Sequence, residues 1–160
     1  MDLNVASAVT GGSNGGYMVL SSKSHSTTVC AAAIDIMGIS NFVSFLENTS
    51  EYRRDLRRAE YGDERDPKMK EFLQRISPTN NADKITKPML VALGQNDPRV
   101  PVTESEQMVE VIRKNGGSVW YILAKDEGHG FQKKSNNDYY YNAVALFLQT
   151  YLLSDETSMR

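Results

Sequence analysis

Gly11-Gly12-Ser13-Asn14-Gly15-Gly16 sets a serine among glycines in the pattern Gly-x-Ser-x-Gly. An apolar run over residues 5–9 precedes it, and the helix-compatible segment Tyr17-Met18-Val19-Leu20 follows. This is the setting of a sharp strand-to-helix turn. Glycines tolerate its strained backbone, and the Ser13 hydroxyl is left exposed to attack a carbonyl. The motif alone is weak, since ordinary Gly and Ser usage produces it by chance in roughly one in twenty chains of this size. Residues downstream give it weight. Asp97 follows the apolar run Met89-Leu90-Val91-Ala92-Leu93-Gly94, and Gln95-Asn96-Asp97-Pro98 reads as a turn. His129 lies in Asp126-Glu127-Gly128-His129-Gly130-Phe131, after the apolar run Val119-Trp120-Tyr121-Ile122-Leu123-Ala124. A serine hydroxyl needs a base during attack. His129 would take its proton and pass it to the leaving group, while Asp97 orients the imidazole and stabilises its cation. The backbone N–H of Asn14, next after the nucleophile, is the expected oxyanion donor. Asp126 and Glu127 read as loop or surface groups, and His25, in Ser24-His25-Ser26, as solvent-facing at a helix end.

The order Ser, Asp, His along the chain is that of α/β-hydrolases. Gly11-Gly12-Ser13-Asn14-Gly15-Gly16-Tyr17, Asn96-Asp97-Pro98-Arg99-Val100-Pro101 and Asp126-Glu127-Gly128-His129-Gly130-Phe131 resemble the three catalytic motifs of prolyl oligopeptidase-type serine peptidases. Ser77-Pro78 before Lys87-Pro88 and Glu104-Ser105-Glu106-Gln107-Met108 fit the same family, so the resemblance runs over residues 4–153. It implies a serine-type peptidase with an acyl-enzyme on Ser13, acting on short peptides, in some members after proline. It implies that Arg99 binds a substrate carbonyl, and that a second oxyanion donor comes from an amino-terminal half of the catalytic domain. Two other readings stay open: a small carboxylesterase, and a catalytically silent remnant serving as an interaction or assembly module.

The family's catalytic domain has a larger sheet, usually preceded by a β-propeller. A chain of 160 residues accommodates one domain with a real core. The expected architecture is α/β: a truncated α/β-hydrolase of roughly four parallel strands with flanking helices and no propeller. Residues 1–153 form the partial catalytic domain and residues 154–160 a polar tail. Strands are expected at residues 5–9, 29–34, 89–93 and 119–123. The first helix starts near Asn14 and fades over residues 21–28, and residues 38–41 are a loop. Residues 51–71 read as two helical pieces broken at Gly62 and Pro67. Residues 104–115 form a helix with Thr103 as N-cap, Glu106 completing a capping box, and Gly116-Gly117 as its stop. Residues 138–153 close as a helix with Ala143, Leu146, Phe147 and Leu152 inward. Tyr17 is expected to pack under the serine turn, and Tyr139, Tyr140 and Tyr141 on a helix face.

A formal net charge of -2 offers no electrostatic case for nucleic acid. Arg53-Arg54-Asp55-Leu56-Arg57-Arg58 is interleaved with acids and reads as a solvated or interdomain face. The single cysteine, Cys30, reads as a small buried apolar residue. No metal or phosphate-loop signature is present and no cofactor is expected. No stretch has the length of a membrane span, and the start of the chain lacks a signal-peptide pattern, so a soluble, cytoplasmic protein is expected. With strands in sequential order the first is an edge. An unpaired apolar edge invites another chain, so self-association, edge rearrangement or pairing with a further segment is expected.

Overall fold

A computed structural model of the chain describes residues 7–25 and 30–153. The elements, in order, are β1 (Ala8–Gly12), α1 (Asn14–His25), β2 (Ala32–Ile36), α2 (Phe42–Asn48), α3 (Glu51–Tyr61) and α4 (Pro67–Ile76). A 3-10 segment (Pro78–Lys84), β3 (Met89–Gly94), α5 (Val102–Lys114), β4 (Val119–Ala124), α6 (Lys134–Leu148) and a π-helical turn (Gln149–Leu153) follow. Among the described residues the strands form one sheet in the order β1-β2-β3-β4, every neighbouring pair parallel. Parallel pairing sends each strand's carboxyl end the same way, so the loops after β1, β3 and β4 emerge at one end of the sheet.

Side-chain alternation explains the layers. Ala33 and Met89 face Val19 and Leu20 of α1, Ala82 and Ile85 of the 3-10 segment, and Met108 and Ile112 of α5. Ala32, Ile34, Leu90 and Ala92 face the other way, onto Tyr140 and Phe147 of α6. With both faces covered, β3 is buried at every position, which is why its sequence is a continuous apolar run. A third apolar cluster lies apart from the sheet. Phe42, Phe45 and Leu46 of α2 meet Leu73 of α4 and Val100 of the loop after β3, with Tyr17 and Tyr61 packed against them.

Several elements differ from the sequence expectation. β1 lies at Ala8–Gly12 rather than residues 5–9, since pairing with β2 carries the ladder to Gly12↔Ile36; residues 5 and 6 are outside the described residues. β2 runs on through Asp35, a carboxylate that interrupts the apolar pattern yet is fully buried. α2, which polar Ser44, Glu47 and Asn48 disguise, was not expected. Pro67 begins α4 instead of breaking a helix, because Asp66 caps it by accepting from the N–H groups of Lys68 (2.8 Å) and Met69 (3.0 Å). The capping box at Thr103 does not form: α5 starts two residues earlier, at Val102, and Pro101 occupies the cap position with no side-chain cap. α6 starts at Lys134 and buries Tyr140 and Phe147, whereas Leu146 is 55% exposed. Cys30 is half-buried. The fading end of the first helix beyond His25, the His25 side chain and the tail at residues 154–160 fall outside the described residues.

Phe147 anchors the α6 face, fully buried with its ring 5.5 Å from Trp120 and 5.0 Å from Tyr151. Phe147→Ala is expected to lower the unfolding free energy by about 3–5 kcal/mol, read from urea unfolding followed by circular dichroism.

Candidate active site

Ser13 terminates β1 with φ 56°, the left-handed region that a non-glycine residue rarely adopts. Such a conformation costs on the order of 1–3 kcal/mol and must be held by its surroundings. Here the Ser13 N–H donates to the Ile36 carbonyl (2.9 Å) and the Ser13 carbonyl accepts from the Tyr17 N–H (3.0 Å), opening α1. The N–H groups of Asn14, Gly15 and Gly16 lie in the first turn and have no acceptor within the helix. The nucleophile candidate is thus followed by free donors and the positive end of a helix. Asn14 is exposed, and its side-chain Oδ1 accepts from the Tyr61 hydroxyl at 2.6 Å.

Asp97 and His129 are brought into contact. The Asp97 side chain is fully buried, and its Oδ2 lies 2.6 Å from His129 Nδ1. Its Oδ1 accepts from the N–H groups of Arg99 (2.7 Å) and Val100 (3.1 Å). A carboxylate serving as acceptor on both oxygens fixes the ring's state: Nδ1 carries the hydrogen and donates, leaving Nε2 to accept a proton. His129 keeps 18% of its side chain exposed, so Nε2 chemistry needs no opening of the core.

The two loops are stitched together. The Gln95 N–H donates to Ala124 O (2.9 Å), the Asn96 N–H to Glu127 O (2.9 Å), and the Asn96 side chain to Lys125 O (2.9 Å). Gly94 permits this: a Cβ there would sit 2.3 Å from Gly128 O. Glu127, expected as a loop or surface group, lies in the loop after β4 but is buried. Its carboxylate accepts from the N–H groups of Gln132 (3.1 Å) and Lys133 (2.7 Å) and from Asn136 (2.9 Å). The Asn136 amide and these N–H groups hold the Glu127 carboxyl below its usual range. It closes the loop that carries His129.

The Asp97 loop is braced on its other side by α2. At the carboxyl end of α2, the Thr49 hydroxyl donates to Arg99 O (2.9 Å). At its amino end, the buried Glu104 carboxylate of α5 accepts from Ser40 N–H (3.1 Å), Asn41 N–H (2.8 Å) and the Ser44 hydroxyl (2.5 Å). Burial pushes the Glu104 carboxyl up, and these hydrogen bonds oppose it. The Arg99 side chain is exposed at this same end of the sheet.

Asp35 is the residue that motif reading missed. It lies on β2 in register with Gly11, fully buried, and neither carboxylate oxygen makes a well-formed hydrogen bond. Burial pushes its carboxyl up to about 7, with the Gly38 N–H acting the other way. Its Oδ1 lies where side chains on two glycines would go, 2.3 Å from a Cβ on Gly16 and 2.2 Å from one on Gly38. The carboxyl is therefore wedged between the first turn of α1 and the loop after β2. The only sequence signal was a carboxylate interrupting an apolar strand.

Parallel strands wrapped by helices, with a strained serine after one strand and an Asp–His pair on the loops after two others, define the α/β-hydrolase fold. Solved structures agree. A puromycin-hydrolyzing peptidase of Mycobacterium tuberculosis superposes with a TM-score of 0.83 at 29% identity, over 91% of this chain and 22% of that one. The fold is likewise that of an acylaminoacyl peptidase of Pyrococcus horikoshii (TM-score 0.82, 23% identity, 91% of this chain and 24% of that one). The chain belongs to the prolyl oligopeptidase family, whose model matches residues 5–155. It is 38% identical over 146 residues to dipeptidyl peptidase family member 6 of Caenorhabditis elegans, covering 89% of this chain and 20% of that protein. It is 38% identical over 140 residues to dipeptidyl aminopeptidase BIII of Pseudoxanthomonas mexicana, covering 86% and 20% respectively. The chain thus spans about a fifth of the length of these relatives. Among the described residues there is no propeller, and no helix is long and apolar enough to cross a membrane.

Asp35 gives a pH signature. Its folded-state value of about 7 lies above the ordinary 3.8, so the folded chain holds a proton that the unfolded chain loses first. That contribution to stability is fully present below about pH 4 and is lost as pH rises through about 7. Asp35→Asn is expected to abolish this loss, so the variant gains on the parent chain between pH 5 and pH 8. Urea midpoints across that range measure it; parallel pH profiles for the two chains would refute it.

Proposed function

We propose that this chain carries the catalytic machinery of a serine hydrolase that cleaves peptide bonds through an acyl-enzyme on Ser13. The observation that carries this reading is the buried Asp97 carboxylate, 2.6 Å from His129 Nδ1 at the end of the sheet where strained Ser13 lies. Ser13 Oγ attacks the substrate carbonyl carbon as His129 Nε2 takes its proton. The carbonyl electron pair moves onto oxygen, and the Asn14 N–H stabilises that charge. The tetrahedral species collapses, the C–N bond breaks, and His129 returns the proton to the departing amine. Water then repeats the sequence on the ester, restoring Ser13. Asp97, bonded to Nδ1, orients the ring and stabilises the imidazolium. Arg99, exposed beside the pair, is assigned to a substrate carbonyl. The names of the relatives, a dipeptidyl peptidase and a dipeptidyl aminopeptidase, support short peptides as the substrate class. Cleavage after proline is the finer form of this reading.

One observation favours a second reading, an assembly module. The outer edge of β1 has no strand partner among the described residues. Beside it lies an apolar groove of about 420 Å³ lined by Ala8, Ile34, Ile36, Val144 and Leu148. Such an edge favours pairing with another copy. Concentration-dependent dimerisation in light scattering would support it.

Labelling by a fluorophosphonate serine-hydrolase probe tests the first reading. The chain is expected to label, Ser13→Ala to lose labelling entirely, and Asp97→Asn to slow it by on the order of a thousandfold or more. Absence of labelling in folded protein overturns the hydrolase reading and leaves the assembly module. Faster turnover of a short acyl ester than of a prolyl amide would make the chain an esterase.

A further inference from the structure

We propose that the arginine face of α3 forms a carboxylate-binding subsite beside the catalytic residues, built on Arg54 and Arg57. The inference rests on the hydrolase reading for its ligand class, a peptide, but not on reactivity of Ser13.

α3 is tied to the site at both ends. Near its start, the Arg54 guanidinium donates to Thr49 O (3.3 Å), and the Thr49 hydroxyl donates to Arg99 O (2.9 Å). Arg99 N–H in turn donates to the same Asp97 carboxylate that holds His129. At its end, the Tyr61 hydroxyl donates to Asn14 Oδ1 (2.6 Å), one residue from Ser13. Residues 54 and 61 are seven apart, or about 10 Å along a helix, so α3 reaches from the Asp97 loop to the serine turn. Positions 54, 57 and 61 recur at helical spacing on one face. Arg57 therefore shares the face of the two tethered residues.

The charges on α3 are not equivalent. Arg58 is consumed by Asp55, Asp63 and Glu64, with Glu64 itself buried. Among the described residues Arg57 has one carboxylate partner, the exposed Glu60 on its own helix. Arg54 has no carboxylate partner among the described residues, only a carbonyl. Both Arg54 and Arg57 have a buried Nε with no acceptor among the described residues. With the buried Nε and stem fixed by packing, the outer Nη edge of each guanidinium is the part pre-organised to meet a bidentate carboxylate. Two planar forks on one narrow strip, bordered by Glu51, Asp55 and Glu60, suit one carboxylate rather than a polyanion. The carboxylate can come from the end of a short peptide or from an acidic side chain.

The test is binding to the Ser13→Ala chain, so that turnover plays no part. Three tripeptides are titrated by calorimetry: Ala-Ala-Ala with a free carboxylate, its carboxamide, and a carboxamide carrying one Glu. At least one anionic peptide is expected to bind about tenfold or more tightly than the neutral one. The tighter of the two identifies the source of the carboxylate. Added salt is expected to shrink the preference. Arg54→Gln with Arg57→Gln is expected to erase it while the neutral peptide binds as before. Lys114→Gln, at the far end of α5, is expected to retain it. Equal binding of all three peptides, or no binding by any, overturns the subsite even if the arginine variants fail to fold. Failure of fluorophosphonate labelling with the preference intact overturns the hydrolase reading instead, so the two fail separately.

Discussion

The Asp97 carboxylate is the constraint around which the rest is arranged. A charge with no exposed side-chain surface is costly unless its acceptor sites are filled. Asp97 fills one oxygen from its own turn, with the N–H groups of Arg99 and Val100, and the other from His129. The turn and the imidazole are therefore one unit, since neither oxygen can be left without its donor. This unit demands that loops after adjacent strands lie in backbone contact. Gly94, passing where a Cβ would collide with Gly128 O, is the local price of that approach. The hydrogen bonds of Gln95 and Asn96 to residues 124, 125 and 127 follow from the same closeness.

Three further buried acids show how burial alone does not decide a carboxylate's behaviour. Glu127 meets two N–H groups and an amide, and its carboxyl is held low. Its charge belongs to the fold and shapes the His129 loop. Glu104 meets backbone and hydroxyl donors at the start of α2, yet burial still pushes it up. Asp35 meets no donor well, and burial dominates. Donors alone do not set the order: Glu104 has at least as many as Glu127, but desolvation outweighs them there, and Asp35 has none well placed to oppose it. The two groups that are well bonded brace loops of the Asp–His pair. Asp35, which is not, fills space under the first turn of α1.

The legible part of this chain was where local chemistry and fold coincide. β3 appears as an apolar run because a strand covered on both faces by helices needs one, and the half-buried edge strand β4 is legible from its own apolar run. The Gly-x-Ser-x-Gly turn and the Asp97 and His129 loops are marked by residues with few other reasons to occur together. What could not be read depended on distant partners. Glu127 looks like a surface acid until the N–H groups of Gln132 and Lys133 fold back onto it. Thr103 and Glu106 satisfy a capping pattern, but α5 starts at Val102, where Glu104 is drawn inward by Ser40, Asn41 and Ser44. The apolar pattern ends at Ile34 because Asp35 breaks it, but β2 runs on to Ile36. Helical period puts Leu146 inward, yet Tyr140 and Phe147 take the buried face of α6.

The length of one connection ties the brace to the approach. A parallel crossover needs one helix, and the connection from β3 to β4 contains only α5. The connection from β2 to β3 contains α2, α3, α4 and a 3-10 segment, with a core of its own. Extra chain of this kind, leaving the sheet at its carboxyl end, is free to do work that the sheet does not require. α2 grips the Asp97 loop through Thr49 and meets Glu104 at its other end. α3 then runs from that grip to Asn14, carrying its arginines across the same end of the sheet. One insertion thus steadies the Asp–His pair and, under the proposed reading, also sets the charge that an incoming peptide meets. Moving α2 to relax the brace would carry α3 with it, because Arg54 is bonded to Thr49, the residue that ends α2.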